Sequence, residues 1–114
     1  MTDSDDTRRM RHMVEAAEKA LRFVEGKTRS DLNEDEILCL ALLRLLEIIG
    51  EAGVRVSQAA HDRHAEIPWP KIIGMRNRLV HGYDEIDLEV LWQTLRQDLK
   101  PLINSLKEIL SAAD

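Results

Sequence analysis

Apolar residues return at steps of three and four along most of this chain. Met10, Met13, Val14, Ala17, Leu21 and Val24 form the first such stripe, the mark of a helix with one buried face, and Gly26 is a natural stop. A second start stands at "LNEDEI", where Asn33 can cap, Glu36 follows three residues on, and Leu32 and Ile37 occupy the staple positions. The helix it opens, "ILCLALLRLLEIIGEA", is apolar nearly all round, which predicts the central position. Its polar continuation, "VRVSQAAHDRHAE", predicts an extension to about residue 63, before Pro68 forbids more. "PWP" opens a third helix, with Pro70 suited to the first turn and Gly82 its expected end. A fourth starts at the cap Asp87, stapled by Ile86 and Leu91. From Leu88 through Leu91, Leu95, Leu99, Leu102 and Leu106 to Ile109, one phase persists across Pro101. An interior proline costs about 3 kcal/mol, so a kink or two abutting helices are expected there. The pattern predicts an all-α, four- to five-helix up-and-down bundle: one domain over residues 1–114, with residues 1–7 a flexible N-terminal extension.

Composition narrows this further. Five glycines and three prolines leave little room for hairpins, and few aromatics among many Leu, Ile, Val and Ala suit helix-on-helix packing. The start, "MTDSDDTRRM", has no apolar signal-peptide core. The longest apolar run, from Ile37 to Gly50, contains Arg44 and Glu47 and is too short for a bilayer. A cytoplasmic protein without a membrane partner is expected. Cys39 is the single cysteine, so no disulfide framework exists and a buried, inert thiol is expected.

Net charge is −5, which argues at first against nucleic acid. Its distribution says otherwise. Residues 1–36 carry ten acids and seven bases, and residues 82–114 seven acids and three bases. Residues 53–81 reverse the sign, with Arg55, Arg63, Lys71, Arg76 and Arg78 against Asp62 and Glu66. The basic region centres on "GMRNRLVHGY", residues 74 to 83, which gathers two arginines, an asparagine, a histidine and the only tyrosine.

On a regular helix over residues 70–81, Arg76 has Ile72 and Val80 four residues away and Ile73 and Leu79 three away, in the middle of the apolar stripe. Arg78 lies toward the edge. A charge on a core-facing stripe is costly unless paired. Arg76 is therefore half of a buried ion pair, with Glu47 of the central helix the obvious partner, or a cation held for an anion. Asn77 and His81 are four apart, so the amide can orient the imidazole. Arg76 and His81 are five apart, about 140° around the helix, and do not converge. The chain can turn at a left-handed Gly82, two copies can meet about a two-fold axis, or both can hold together.

These residues resemble a known family. "RNRLVHGY" fits the Arg-(polar)-x3-His-x-Tyr signature of HEPN-domain, HepT-like ribonuclease toxins. "LEIIGEA", "IPWPKIIGMRNRLVHGY" and "DLEVLWQTLRQDLKPL" read like the same group, so the resemblance covers roughly residues 8 to 112. It implies a homodimer with the motif helices facing one another and a metal-independent endoribonuclease. It also implies a toxin–antitoxin pair whose MntA-like nucleotidyltransferase adds AMP to the motif tyrosine. By that resemblance Arg76 and His81 are catalytic, Asn77 supports them and Tyr83 is the modified residue.

The chemistry is coherent by itself. RNA carries its own nucleophile in the 2′-hydroxyl, so cleavage needs a base, an acid and positive charge on the transition state. Histidine as a residue type suits the first two roles, and arginine presents a planar fork to phosphate oxygens. One chain supplies one motif histidine; a two-fold pair supplies both. Lys71, Arg78, Arg55 and Arg63 are the further candidates for RNA contact. Two other readings stand beside this one. In the first, a non-catalytic helper binds nucleotide or docks the nucleotidyltransferase. In the second, His61 and His64 of "HDRH" bind metal, a poor zinc site without further ligands. No cofactor or metal is expected.

Overall fold

The computed structural model describes residues 3–82 and 85–113. Helix α1 (Asp3–Val24) turns its stripe inward, burying Met10, Met13, Val14, Ala17 and Val24. Ala16 and Ala20 are buried beside them, and α1 packs against α3 (Glu36–Arg55). The stretch expected to extend from the domain is helical from Asp3, and Asp6 is buried. Its carboxylate accepts from the Ser57 N–H at 2.8 Å and the Ser57 hydroxyl at 2.6 Å.

That anchor explains why the central helix stops early. Expected to reach residue 63, α3 ends at Arg55; Val56 is extended and Ser57 caps a separate α4 (Gln58–Arg63). Asp6 takes the Ser57 N–H that a continuing helix would have used internally. The start also differs. Thr28 caps a six-residue α2 (Arg29–Glu34), and Asp35, not Asn33, caps α3 by accepting from the Leu38 N–H at 3.0 Å.

Central α3 contacts α1, α2 and the segments after Pro68. Leu42, Leu46 and Ile49 are fully buried, each contributing about 1.5–3 kcal/mol over an exposed side chain. Its apolar circumference is nevertheless not all covered. Ile37 is 81% exposed, Leu40 51% and Val54 57%.

The helix expected over residues 70–81 is broken. α5 (Trp69–Ile73) and α6 (Met75–Leu79) meet at Gly74, and α6 gives way to a two-stranded antiparallel hairpin. In it β1 (Val80–His81) pairs with β2 (Glu85–Ile86), Val80 opposite Ile86 and His81 opposite Glu85. So there is a hairpin despite the few turn residues. Gly82 makes it possible, with φ +62°, a left-handed conformation that side chains resist. Asp87 closes the loop, its N–H donating to the Leu79 carbonyl at 2.7 Å.

The arm formed by α5 and α6 lies on α3 through glycines. A Cβ on Gly50 would sit 3.2 Å from the Ile72 carbonyl oxygen, so α5 meets α3 almost backbone to backbone.

The final stripe holds. α7 (Leu88–Gln93), a π-helical turn (Thr94–Asp98) and α8 (Leu99–Ala113) follow one another, burying Leu91, Leu95, Leu99, Leu102 and Leu106. The Leu99 N–H reaches back to the Thr94 carbonyl, one residue further than in an α-helix. This wide turn resets the hydrogen-bond ladder just before Pro101, which then falls in the first turn of α8, where a missing N–H is tolerated. Among the described residues no helix is long and apolar enough to cross a membrane.

Candidate active site

The break at Gly74 changes where the motif points. The arm buries Trp69, Ile72, Met75 and Leu79, so Met75 takes the core position that a regular helix would have given Arg76. Arg76 sits on the flank of that stripe with its side chain 59% exposed. The expectation of a core-facing arginine is thus corrected. The expected carboxylate is present: Arg76 Nε lies 2.8 Å from Glu47 Oε2, and Glu47 is only 17% exposed.

Glu47 is shared. Its Oε1 is 3.7 Å from Arg44 Nη1, and that nitrogen is also 3.4 Å from Glu51 Oε2. This ion pair engages the guanidinium of Arg76 through Nε. Arginine's remaining donors sit on the two terminal nitrogens, the pair that forms a fork to phosphate. Glu47 therefore orients the cation through Nε, apart from the two terminal nitrogens.

Arg76 stands on the wall of an open groove of about 750 Å³. Asn33 and Glu36 supply polar lining, and Leu40, Val80 and Ile86 are among its apolar walls. Cys39 lines it too, buried, with burial first and Glu36 second pushing its thiol up. A thiol so placed stays protonated and weakly nucleophilic.

His81 belongs to β1, not to the helix, and its side chain is exposed. Asn77, expected to hold the ring, lies exposed on α6. Asp87 holds it instead: His81 Nε2 is 3.3 Å from Asp87 Oδ2. The other oxygen of Asp87 accepts from the Val90 N–H at 3.1 Å, the N-cap of α7. That bond first, and the His81 contact after it, hold the Asp87 carboxyl below its ordinary value. Asp87 was legible in the sequence only as a cap. A capping carboxylate uses one oxygen, so the spare oxygen beside a histidine six residues upstream was the available signal.

The remaining candidates disperse. Lys71 pairs with Asp98 at 3.3 Å beside a separate small cavity of about 180 Å³. Arg78 donates to the Lys71 carbonyl at 3.3 Å. Arg55 and Arg63 lie at the end of α3 and on α4, outside the groove lining. His61 stacks on Trp69 with centroids 4.3 Å apart, and its Nε2 is 2.9 Å from the Gly53 carbonyl oxygen. The His64 carbonyl accepts from the Trp69 indole N–H at 3.0 Å. The His61 ring and the His64 carbonyl thus pack the α4–α5 junction around Trp69. Among the described residues no three His, Cys, Asp or Glu side chains are grouped to hold a metal ion. Tyr83 lies outside the described residues.

A helical bundle with an exposed arginine beside a groove and a histidine on the adjoining turn has the build of an all-α, HEPN-like domain. The family model for ribonuclease HepT-like proteins matches residues 13–109, and the chain belongs to that family. It is similar to a candidate RNase of Caldanaerobacter subterraneus subsp. tengcongensis, 33% identical over 101 residues, covering 89% of this chain and 90% of that one. It is also similar to a Thermococcus cleftensis protein named "Probable ribonuclease HepT", 37% identical over 94 residues and covering 78% of this chain and 84% of the relative. A candidate RNase of Methanocaldococcus jannaschii is 29% identical over 87 residues, 76% of this chain and 80% of its own. No solved structure matches the chain.

Proposed function

We propose that this ribonuclease-family protein is a metal-independent endoribonuclease, the toxin of a toxin–antitoxin pair, working as a homodimer. The observation that carries the reading is the state of Arg76: ion-paired through Nε, yet largely exposed on the wall of an open groove. His81, exposed on the turn that follows, serves as the proton-transfer group. The substrate 2′-hydroxyl loses its proton to one His81 and attacks phosphorus. The 5′-oxygen leaves with a proton from His81 of the second copy, giving a 2′,3′-cyclic phosphate. Arg76 neutralises charge on the non-bridging oxygens during the step.

Dimerisation is supported by the uncovered apolar side chains on α3, Ile37 and Leu40 at one end and Val54 at the other, with Ile73 of α5 exposed as well. Arg44, Glu47 and Glu51 belong to the same helix. A second copy meeting this face would bring two motif arms together. Tyr83, two residues beyond His81, would take AMP from a nucleotidyltransferase partner. The added phosphate would then compete with RNA for Arg76.

The test is cleavage of total cellular RNA by the purified protein in EDTA. Cleavage by the wild type and its loss in His81→Ala are expected. Full activity in His81→Ala refutes the assignment, and absence of cleavage by the wild type favours the helper reading. For the switch, Tyr83→Phe should remain toxic when the nucleotidyltransferase is co-expressed; restored growth leaves simple sequestration.

A further inference from the structure

The proposed reaction needs one ring nitrogen of His81 free to take a proton and the other held. The geometry points to Asp87 as the positioning residue that holds Nε2, leaving Nδ1 as the nitrogen that faces the 2′-hydroxyl or the leaving 5′-oxygen. This assignment rests on the general-base reading of His81 and deepens it.

Three bonds matter for the placement of the Asp87 side chain. Its Oδ2 lies 3.3 Å from His81 Nε2, its Oδ1 accepts from the Val90 N–H at 3.1 Å, and its own N–H donates to the Leu79 carbonyl at 2.7 Å. The last two fix the carboxylate between the end of α6 and the start of α7, on either side of the hairpin that carries His81. The carboxylate is thus held from both sides, while the side chain it contacts is exposed.

A carboxylate only accepts, so the neutral imidazole must place its hydrogen on Nε2 and its lone pair on Nδ1. When Nδ1 takes the substrate proton, the imidazolium carries a hydrogen on each nitrogen. The carboxylate then faces a full positive charge, and the 3.3 Å contact is expected to shorten. The reverse transfer returns the proton from Nδ1 to the leaving oxygen, so His81 and Asp87 end as they began. Asp87 itself exchanges no proton, in keeping with a carboxyl held below its ordinary value by the Val90 N–H.

Asp87→Asn separates this role from capping. Asparagine caps helices as well as aspartate does, so Oδ1 can still accept from Val90. The amide, however, presents N–H₂ to Nε2 and favours the opposite tautomer, with the hydrogen on Nδ1. In Ser-His-Asp triads the same exchange stalls catalysis through the wrong tautomer. Here the ring is exposed and water replaces part of the effect, so kcat should fall by about ten- to a hundredfold. KM for an RNA that the wild type cuts should stay unchanged, and the melting temperature at neutral pH should fall only slightly, since the cap is kept and only the charge is lost.

The spectroscopic readout needs no turnover. In ¹⁵N-labelled wild-type protein above the imidazole titration, long-range ¹H–¹⁵N correlations of His81 should show a protonated Nε2. In Asp87→Asn the hydrogen should move to Nδ1. A wild-type ring protonated on Nδ1 overturns the inference even if the variant fails to fold. Unchanged kcat in Asp87→Asn overturns it as well. If His81→Ala keeps full activity, the underlying reading of His81 fails instead.

Discussion

The body of α1, α3 and α8 and the arm of α5, α6 and the hairpin are built on opposite rules. In the body, long helices keep one phase and bury it: Met13, Leu42, Ile49 and Leu106 are shut away from water. In the arm, two five-residue helices and two two-residue strands change direction at Gly74 and Gly82. Such pieces have no stability of their own and are held by what they lean on. The difference teaches that chemistry here is placed by interruption: Arg76 and His81 gain exposure because the helix that would contain both is broken.

If the arm is spent on function and the body on stability, mutations should divide the same way. His81→Ala should lower RNA cleavage by about 10²–10⁴-fold, the usual scale for an acid–base group, while the thermal midpoint is preserved. A matching loss of stability would erase the distinction. In the body, Ile49→Ala should cost about 2–5 kcal/mol in a urea titration, because Ile49 is fully buried and its neighbours cannot all collapse. Its activity per folded molecule should be retained. A smaller change is expected for Arg76→Ala: loss of one phosphate contact should flatten the plot of log affinity against log salt for single-stranded RNA by about 0.7. Stability should change by under about 1 kcal/mol, since the Arg76–Glu47 pair has one largely exposed member.

The smallest effect is on acid stability. The Asp87 carboxyl is held below the ordinary value of 3.8 in the folded chain, chiefly by the Val90 N–H. A depressed folded value stabilises above the unfolded one, and the contribution is lost as pH falls through the folded value. The wild type should therefore lose, in that acid window, a contribution that Asp87→Asn never has. Melting curves of the two should draw together below about pH 4. Parallel curves would mean that the capping carboxylate is not held as described.

Much of the body was legible because its code is local. The stripes at Met10–Val24 and Leu91–Leu106 depend only on helical periodicity, and both are buried as that periodicity requires. Even Pro101 was flagged: of the kink or abutting helices expected, the chain has abutting segments, α7 and α8 joined through a π-turn upstream of the proline. The misses are non-local. Nothing near Ser57 says that Asp6, fifty-one residues earlier, will end α3 there. α2 escaped because six residues show too little periodicity, although Thr28 and Asp31 stand three apart as its cap. On the arm, residue types and spacing pointed to Arg76, His81 and the carboxylate Glu47. The wheel failed because it assumed one helix through Gly74. The bond from His81 to Asp87 needs the hairpin, which a pattern of threes and fours cannot announce.

Glu47 and Gly50 stand one turn apart on α3, the first gripping the guanidinium and the second admitting the Ile72 carbonyl. The arm is thus bolted and shimmed by neighbouring threads of the same screw. A methyl group added at position 50 would touch no charge, yet by pressing on α5 it would shift the arm and with it the arginine on α6. Mutational tolerance at that glycine should therefore follow the demands of catalysis more closely than those of folding.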